Sequence, residues 1–265
     1  METNMKKLYK KYVSERKRNE YRVLFNKITS IASRGNTFHC NCCGKSFRKF
    51  KSKGTDTIRA NAECPYCGSL ERTRVLLFYI ENETKILTDP VRLLHFAPEF
   101  SLYAILKQAK NLNYLNVDIN PNLADFQMDI MDIPCSDESF DYIICSHVLG
   151  HVPDEKKAIK ELYRVLAAGG TALIMTLIDL DNPQTLETEA ADTPEKRLHY
   201  YTEPDLLRLH GTDFNKRLEE GGFEVEVIDY ASQLGEEKKK TCSLGNGKRE
   251  LIFKCTKSHF NSVHL

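Results

Sequence analysis

The chain has 265 residues, 41% of them hydrophobic and 28% charged, with 38 Lys/Arg against 37 Asp/Glu. This is the composition of an ordinary globular protein. No apolar run approaches the ~20 residues that span a bilayer, and the lysine-rich start lacks the apolar core of a secretory leader, so the expected location is the cytoplasm. The charge is unevenly spread: residues 1–60 hold 16 of the Lys/Arg but only 4 of the Asp/Glu. A segment this basic either offers a surface to RNA or a phosphorylated substrate, or lies over the acidic remainder of its own chain.

Residues 3–33 read as a helix, because Leu8, Tyr12, Val13, Tyr21, Val23, Leu24, Ile28 and Ile31 recur at roughly helical spacing among lysines and arginines. Gly35 is a plausible stop. Two C-x-x-C-G units follow, Cys40–Gly44 and Cys64–Gly68, with twenty residues between the pairs. A tight turn with glycine after the second cysteine lets two thiolates converge on one cation, and two such turns complete a tetrahedron. Cys40, Cys43, Cys64 and Cys67 are therefore expected to hold a structural zinc; disulfides or an iron centre share the spacing. Nine cysteines, an odd number, without an export leader argue against a disulfide framework. The other five, Cys42 included, read as small buried hydrophobes or free thiols.

Leu70–Glu83 reads as a helix. From Val91 onward short apolar runs alternate with amphipathic stretches: strands at Val91–Phe96, Tyr114–Ile119, within Ala124–Ile130, at Phe140–Ser146 and Thr171–Leu177. Helices are expected at Ser101–Lys110 and Asp154–Leu166, the latter stopped by Gly169 and Gly170. This alternation implies βαβ units and a parallel sheet. Residues 178–202 are polar and aperiodic, a helix is expected over Pro204–Glu220, and Phe223–Tyr230 and Glu250–Thr256 alternate like two final strands.

Four segments resemble class I S-adenosylmethionine-dependent methyltransferases: Val91–Glu99 (VRLLHFAPE), Tyr114–Pro121 (YLNVDINP), Met128–Asp154 (MDIMDIP…SFDYIICSHVLGHVPD) and Glu161–Met175 (ELYRVLAAGGTALIM). With the cysteine segment, the likeness is greatest to a bacterial subgroup joining a CxxC…CPxCG knuckle to a HFAPE first motif. The resemblance implies an α/β fold, a Rossmann-like and mostly parallel seven-stranded sheet with helices on both faces, beside an N-terminal helical and zinc-ribbon-like segment. The implied organisation is a basic helix over 1–37, the zinc knuckle and its following helix over 38–85, and a cofactor-binding domain over 86–265 in which 178–202 is a substrate-side insertion.

The resemblance also implies the site. Asp118 would accept from the cofactor ribose and Asp129, with Ile130, would meet the adenine. His95, Ala97, Glu99 and Ser146 would line the rest of the cofactor. The usual glycine-rich loop is here His95-Phe-Ala-Pro-Glu99, without glycine, and Pro98 offers no N–H donor. His147 and His151 follow the fourth strand and are the candidate catalytic bases, since an imidazole titrates near neutrality. Asp205, Arg208 and His210 resemble the family's acceptor-side segment. The expected activity is methyl transfer to a small hydroxylated metabolite, such as a sugar or glycan precursor. The alternatives are an RNA methyltransferase that holds RNA with the basic start and knuckle, and a non-catalytic protein on the same fold.

Overall fold

The computed structural model describes Val13, residues 15–54 and residues 57–259. The chain opens with α1 (Glu15–Thr29), continued by a 3₁₀ turn at Ser30–Ser33. The predicted start of this helix, residues 3–12, lies outside the described residues. Two antiparallel hairpins follow, β1 (Arg34–Cys40) with β2 (Lys45–Phe47) and β3 (Lys51–Lys53) with β4 (Arg59–Glu63). Their common core is small: Cys40, Cys64, Phe47 and Phe50, with Phe38 and Tyr66 packed beside them. So small a core cannot hold four short strands by apolar burial alone, and domains of this size usually depend on a metal or a crosslink.

Next come α2 (Glu71–Glu83), β5 (Val91–Phe96), α3 (Phe100–Leu106), β6 (Leu112–Asp118), β7 (Phe126–Gln127), β8 (Phe140–Ser146), α4 (Glu155–Val165) and β9 (Leu166–Met175). The chain ends with α5 (Pro194–Tyr201), α6 (Phe214–Glu219), β10 (Glu224–Ile228), α7 (Tyr230–Gln233), α8 (Glu236–Thr241) and β11 (Ile252–Thr256). The seven-stranded sheet has the order β10-β11-β9-β8-β5-β6-β7. β7, β6, β5, β8 and β9 are parallel, whereas β11 runs antiparallel to both its neighbours.

The central strands are apolar throughout because both of their faces are buried, as parallel strands require. Alternation sends Leu94, Phe96, Ile143 and Ile174 to one face, where they meet Ala158, Ile159 and Leu162 of α4. Leu93, Ile144, Leu173 and Met175 go to the other, against Val75, Leu76 and Ile80 of α2 and Leu102 and Leu106 of α3. Asp154 caps α4 by accepting from Lys157 N at 3.0 Å.

Three local expectations are corrected. Gly169 and Gly170 do not stop a helix; α4 ends at Val165 and the glycines lie inside β9. Gly169 is left-handed (φ +74°), and a Cβ there would sit 2.2 Å from the His259 ring. It is a strand kink that lets the chain after β11 cross closely. The helix expected over Pro204–Glu220 is only Phe214–Glu219; the stretch before it consists of turns and bends, and it bridges Ile178 to His210 and Leu186 to Leu209. The 178–202 stretch is not wholly irregular, since α5 begins at Pro194, capped by Thr193.

Candidate functional site

The parallel registers place Phe96 beside Val117 on one side and Cys145 on the other, so the carboxyl ends of β5, β6 and β8 form one edge. In open α/β sheets ligands bind at that edge. The chain leaves β5 through Ala97, whose φ of +47° is left-handed. That is glycine's territory, and alanine adopts it at a cost of order 1 kcal/mol. The turn is held by Ala97 N donating to Val117 O at 2.8 Å. A residue that keeps such a conformation without glycine is over-determined by its surroundings.

Those surroundings come partly from outside the sheet. Glu99 accepts from Thr73 Oγ1 at 2.6 Å and pairs with Arg72 Nε at 2.6 Å, both on the first turn of α2. The helix that follows the knuckle therefore fixes the first-motif loop. A pocket of about 390 Å³ opens beside it, lined by Ala97, Pro98, Glu99, Phe100, Tyr103, Asp118 and residues 122–125, with Arg22 and Val23 of α1 on its outer wall. Asp118 ends β6 half-buried, and one of its carboxylate oxygens accepts from Asn120 N at 2.8 Å. Asp129 stands after β7 and accepts from Met131 N at 2.8 Å, with Ile130 buried behind it.

The loop carrying Asp129 is tied down by Arg164 of α4. Its guanidinium donates to Ile133 O and Cys135 O, each at 2.8 Å, and to Glu161, which in turn accepts from Ile133 N. The Glu-Leu-Tyr-Arg run thus acts as a brace for the second carboxylate.

At the tip of β8, Ser146 Oγ is buried and has no hydrogen-bond partner among the described residues. An orphaned hydroxyl at the strand edge is what a ligand's polar atom would satisfy. His147 is left-handed (φ +56°), and its Nε2–H donates to Arg249 O at 3.0 Å, leaving Nδ1 as the unprotonated nitrogen. Burial, reinforced by the charges of Arg72 and Arg249, holds its pKa well below the ordinary histidine value. His95 is not at the edge but inside β5, bonded to Tyr114 Oη at 2.9 Å; burial pushes its pKa down to about 3.

A second pocket, about 320 Å³, lies past the end of β9. Its walls include Leu177, Asp179, Glu203, Lys248 and Arg249, and the β3–β4 hairpin of the knuckle adds Gly54, Thr57 and Arg59. Arg249 pairs with Glu203 at 2.8 Å. The loop bearing Lys248 and Arg249 is knit by buried Glu250, which accepts from the backbone N–H of Asn246, Gly247 and Arg249. Sequence reasoning missed Glu250; the Gly-Asn-Gly run four residues before a glutamate in an apolar stretch was the available sign. Because β8 lies between β5 and β9 in the sheet, Ser146 and His147 stand between the two pockets.

The acceptor-side trio is divided. Arg208 is buried and donates to Leu149 O, Val152 O and Pro153 O while pairing with Glu187. His210 is fully buried; its Nε2–H donates to Glu155 at 2.5 Å and its Nδ1 meets Thr176 Oγ1 at 2.8 Å. Arg217 closes the network on Glu155 and Glu187. These two side chains lock the 204–211 segment onto the start of α4. Asp205 is exposed, and its carbonyl accepts from His151 Nδ1–H at 3.1 Å.

The cysteine cluster is a separate centre. The four Sγ atoms of Cys40, Cys43, Cys64 and Cys67 lie within 4.8 Å of one another, with Cys40–Cys67 at 3.6 Å and Cys43–Cys64 at 3.8 Å. A tetrahedron with Zn–S bonds of about 2.3 Å has edges of about 3.8 Å, so the cluster fits zinc. Gly44 and Gly68 close the two turns by donating to Cys40 O and Cys64 O, both with φ near +70°. Cys42 is packed beside this set without belonging to it, and its thiol meets Asn41 Oδ1. Ser69 Oγ lies 3.1 Å from Cys40 Sγ and 3.4 Å from Cys67 Sγ. Behind it the fully buried guanidinium of Arg74 donates to Ser69 O, Ala62 O, Cys242 O and Ser243 O, with no carboxylate partner among the described residues. A buried cation without an acid needs a nearby anion, and a four-thiolate zinc centre carries net negative charge.

Residues 96–174 match the sequence family described as a methyltransferase domain. Among curated relatives, 27-O-demethylrifamycin SV methyltransferase of Amycolatopsis mediterranei is 26% identical over 44% of this chain and 41% of its own. Demethylmenaquinone methyltransferase of Staphylococcus carnosus is 33% identical over 25% of this chain and 29% of its own. The chain thus spans less than half the length of these relatives. Among solved structures, the [4+2]-cyclase SpnF covers 91% of this chain and 94% of its own at 15% identity and a TM-score of 0.49.

Proposed function

We propose that the protein is an S-adenosylmethionine-dependent methyltransferase acting on a small hydroxylated metabolite, such as a sugar or glycan precursor, with a structural zinc in its knuckle. The observation that carries the reading is the edge formed by β5, β6 and β8: a left-handed turn at Ala97, carboxylates at Asp118 and Asp129, and an unpartnered buried Ser146 hydroxyl, inside the segment that matches the methyltransferase family. Asp118 would accept from the ribose hydroxyls, a charge-assisted contact, and Asp129 would accept from the adenine amino group beside Ile130. Glu99, held in place from α2, would face the amino-acid end. The bound sulfonium supplies an electrophilic methyl, so the protein's part is alignment and removal of a proton.

The acceptor would sit past β9, where Asp179, Glu203, Lys248 and Arg249 offer charged hydrogen-bonding groups and no aromatic platform. Such a wall suits a polyhydroxylated molecule better than a stacked base. His147, through Nδ1, would take the acceptor proton, while His151 and Asp205 border the same side.

The test is calorimetry with S-adenosylhomocysteine. Micromolar binding is expected, weakened at least about tenfold by Asp118→Ala, as loss of a charge-assisted pair implies. Absence of binding by the wild-type chain overturns the reading. With an acceptor in hand, His147→Ala should cut turnover by about 10²-fold. Because the His147 pKa is depressed, its base form persists on acidification, so the wild-type rate should stay flat through about pH 6.5, where an ordinary histidine would titrate.

A further inference from the structure

The face of α1 turned away from the knuckle is apolar and uncovered. Tyr21, Leu24, Phe25, Ile28 and Ile31 follow one another at helical spacing, each between 54% and 65% exposed. The opposite face is the seated one: Asn26 and Ser30 are buried, and Asn26 Oδ1 accepts from Lys51 Nζ at 2.6 Å. The stripe is therefore not the helix's own core-facing side. Five large apolar side chains in one exposed row exceed the scattered surface hydrophobics of a monomer and mark a docking surface. Arg18 and Arg22 flank the stripe on one side and Lys27 on the other, and Arg34 follows its end.

We propose that α1 lies in the plane of an anionic lipid bilayer, its stripe in the headgroup–acyl boundary and its flanking cations against lipid phosphates. Charge selects this occupant. Residues 1–60 hold 16 Lys/Arg against 4 Asp/Glu, so the same face on a second copy would bring like charges together. RNA would satisfy the cations but leave the apolar row in water. Length selects lying over spanning: fifteen residues rise about 22 Å against a hydrocarbon core of about 30 Å. No helix among the described residues is long and apolar enough to cross a membrane. The geometry adds a consequence: since Arg22 and Val23 also wall the pocket at Ala97 and Asp118, a seated α1 holds that pocket at the lipid surface.

The experiment is co-sedimentation of the full chain with vesicles of phosphatidylcholine alone, or with about a third of the lipid replaced by phosphatidylglycerol. The anionic vesicles should bind at least about tenfold more chain, and moderate salt should weaken the binding. The Phe25→Ser/Ile28→Ser double variant should lose at least about tenfold in partitioning at an unchanged melting temperature, because both residues are exposed. Vesicle binding does not depend on methyl transfer, so this test and the calorimetric one fail independently. The proposal is overturned if the wild-type chain ignores anionic vesicles, as it would were its own residues 1–12 to cover the stripe. It is overturned equally if the double variant binds as wild type, if the variant dissolves a dimer seen by light scattering, or if RNA alone is bound.

Discussion

Single residues carry much of the site's geometry, and several do so where the sequence motif departs from that of the family it resembles. Ala97 takes a left-handed conformation that a glycine would take more cheaply, and Glu99 is clamped by Arg72 and Thr73 from a different element. The sequence made the missing glycine visible but not its substitute, because the clamp joins residues 26 positions apart. His95 was legible as part of the first motif, but its depth was not. Burial depresses its pKa to about 3, so folded protein keeps it neutral where the unfolded chain binds a proton. Its contribution is therefore complete above about pH 6.5 and is lost progressively as pH falls toward 3. Each pH unit in that window should remove up to about 1.4 kcal/mol. The check is urea unfolding across that window: the slope of stability against pH should flatten in His95→Gln, and an identical slope would remove His95 from the account.

Among the elements, the central strands were readable because two-sided burial writes continuous apolar runs. Helix α4 was readable because Ala158, Ile159, Leu162 and Val165 repeat on one stripe. The stretch 204–210 was misread for a physical reason. Its Leu-Leu-Arg-Leu pattern suits a helix, yet Arg208 reaches three backbone carbonyls and His210 reaches Glu155 from a non-helical stretch that ends in two bridge residues. Tertiary demand overrode propensity. The knuckle's four cysteines were legible from spacing, whereas the reach of its second hairpin to the pocket beyond β9 was not. A prediction at this scale concerns the brace between α4 and the Asp129 loop. Arg164→Met removes donors to Ile133 O and Cys135 O while keeping the aliphatic stem. Because Arg164 and Glu161 are half-buried and still reached by solvent, stability should fall by only about 1 kcal/mol. Affinity for S-adenosylhomocysteine should fall several-fold more than stability explains, and unaltered affinity would show that the loop holds itself.

The whole molecule joins its two parts through the cysteine centre. The mostly parallel seven-stranded sheet followed from the resemblance, while the way the knuckle docks on it did not, since no local pattern encodes that contact. Arg74 links the cluster, by way of Ser69, to the backbone of Cys242 and Ser243 on the far side. Metal analysis should find about one zinc per chain. Chelation or Cys64→Ser should do more than loosen the hairpins. It strands the Arg74 charge, an uncompensated burial worth about 3–5 kcal/mol, and frees α2 from its anchor, so Glu99 loses its clamp and the first-motif loop should bind its ligand less well. Unfolding of a metal-free chain at an unchanged urea midpoint would refute this coupling.

The reach of Arg74 also bears on how the polypeptide is finished on the ribosome. Its acceptors at Cys242 and Ser243 emerge 168 and 169 residues after it. β11, the last strand among the described residues, inserts between β9 and β10, so β10 has no neighbour in the sheet until β11 arrives. Both closures wait on residues 242–256. A nascent chain halted before residue 242 leaves Arg74 without two of its carbonyl acceptors and β10 without its partner strand, and it should be a protease's substrate until residues 242–256 are made.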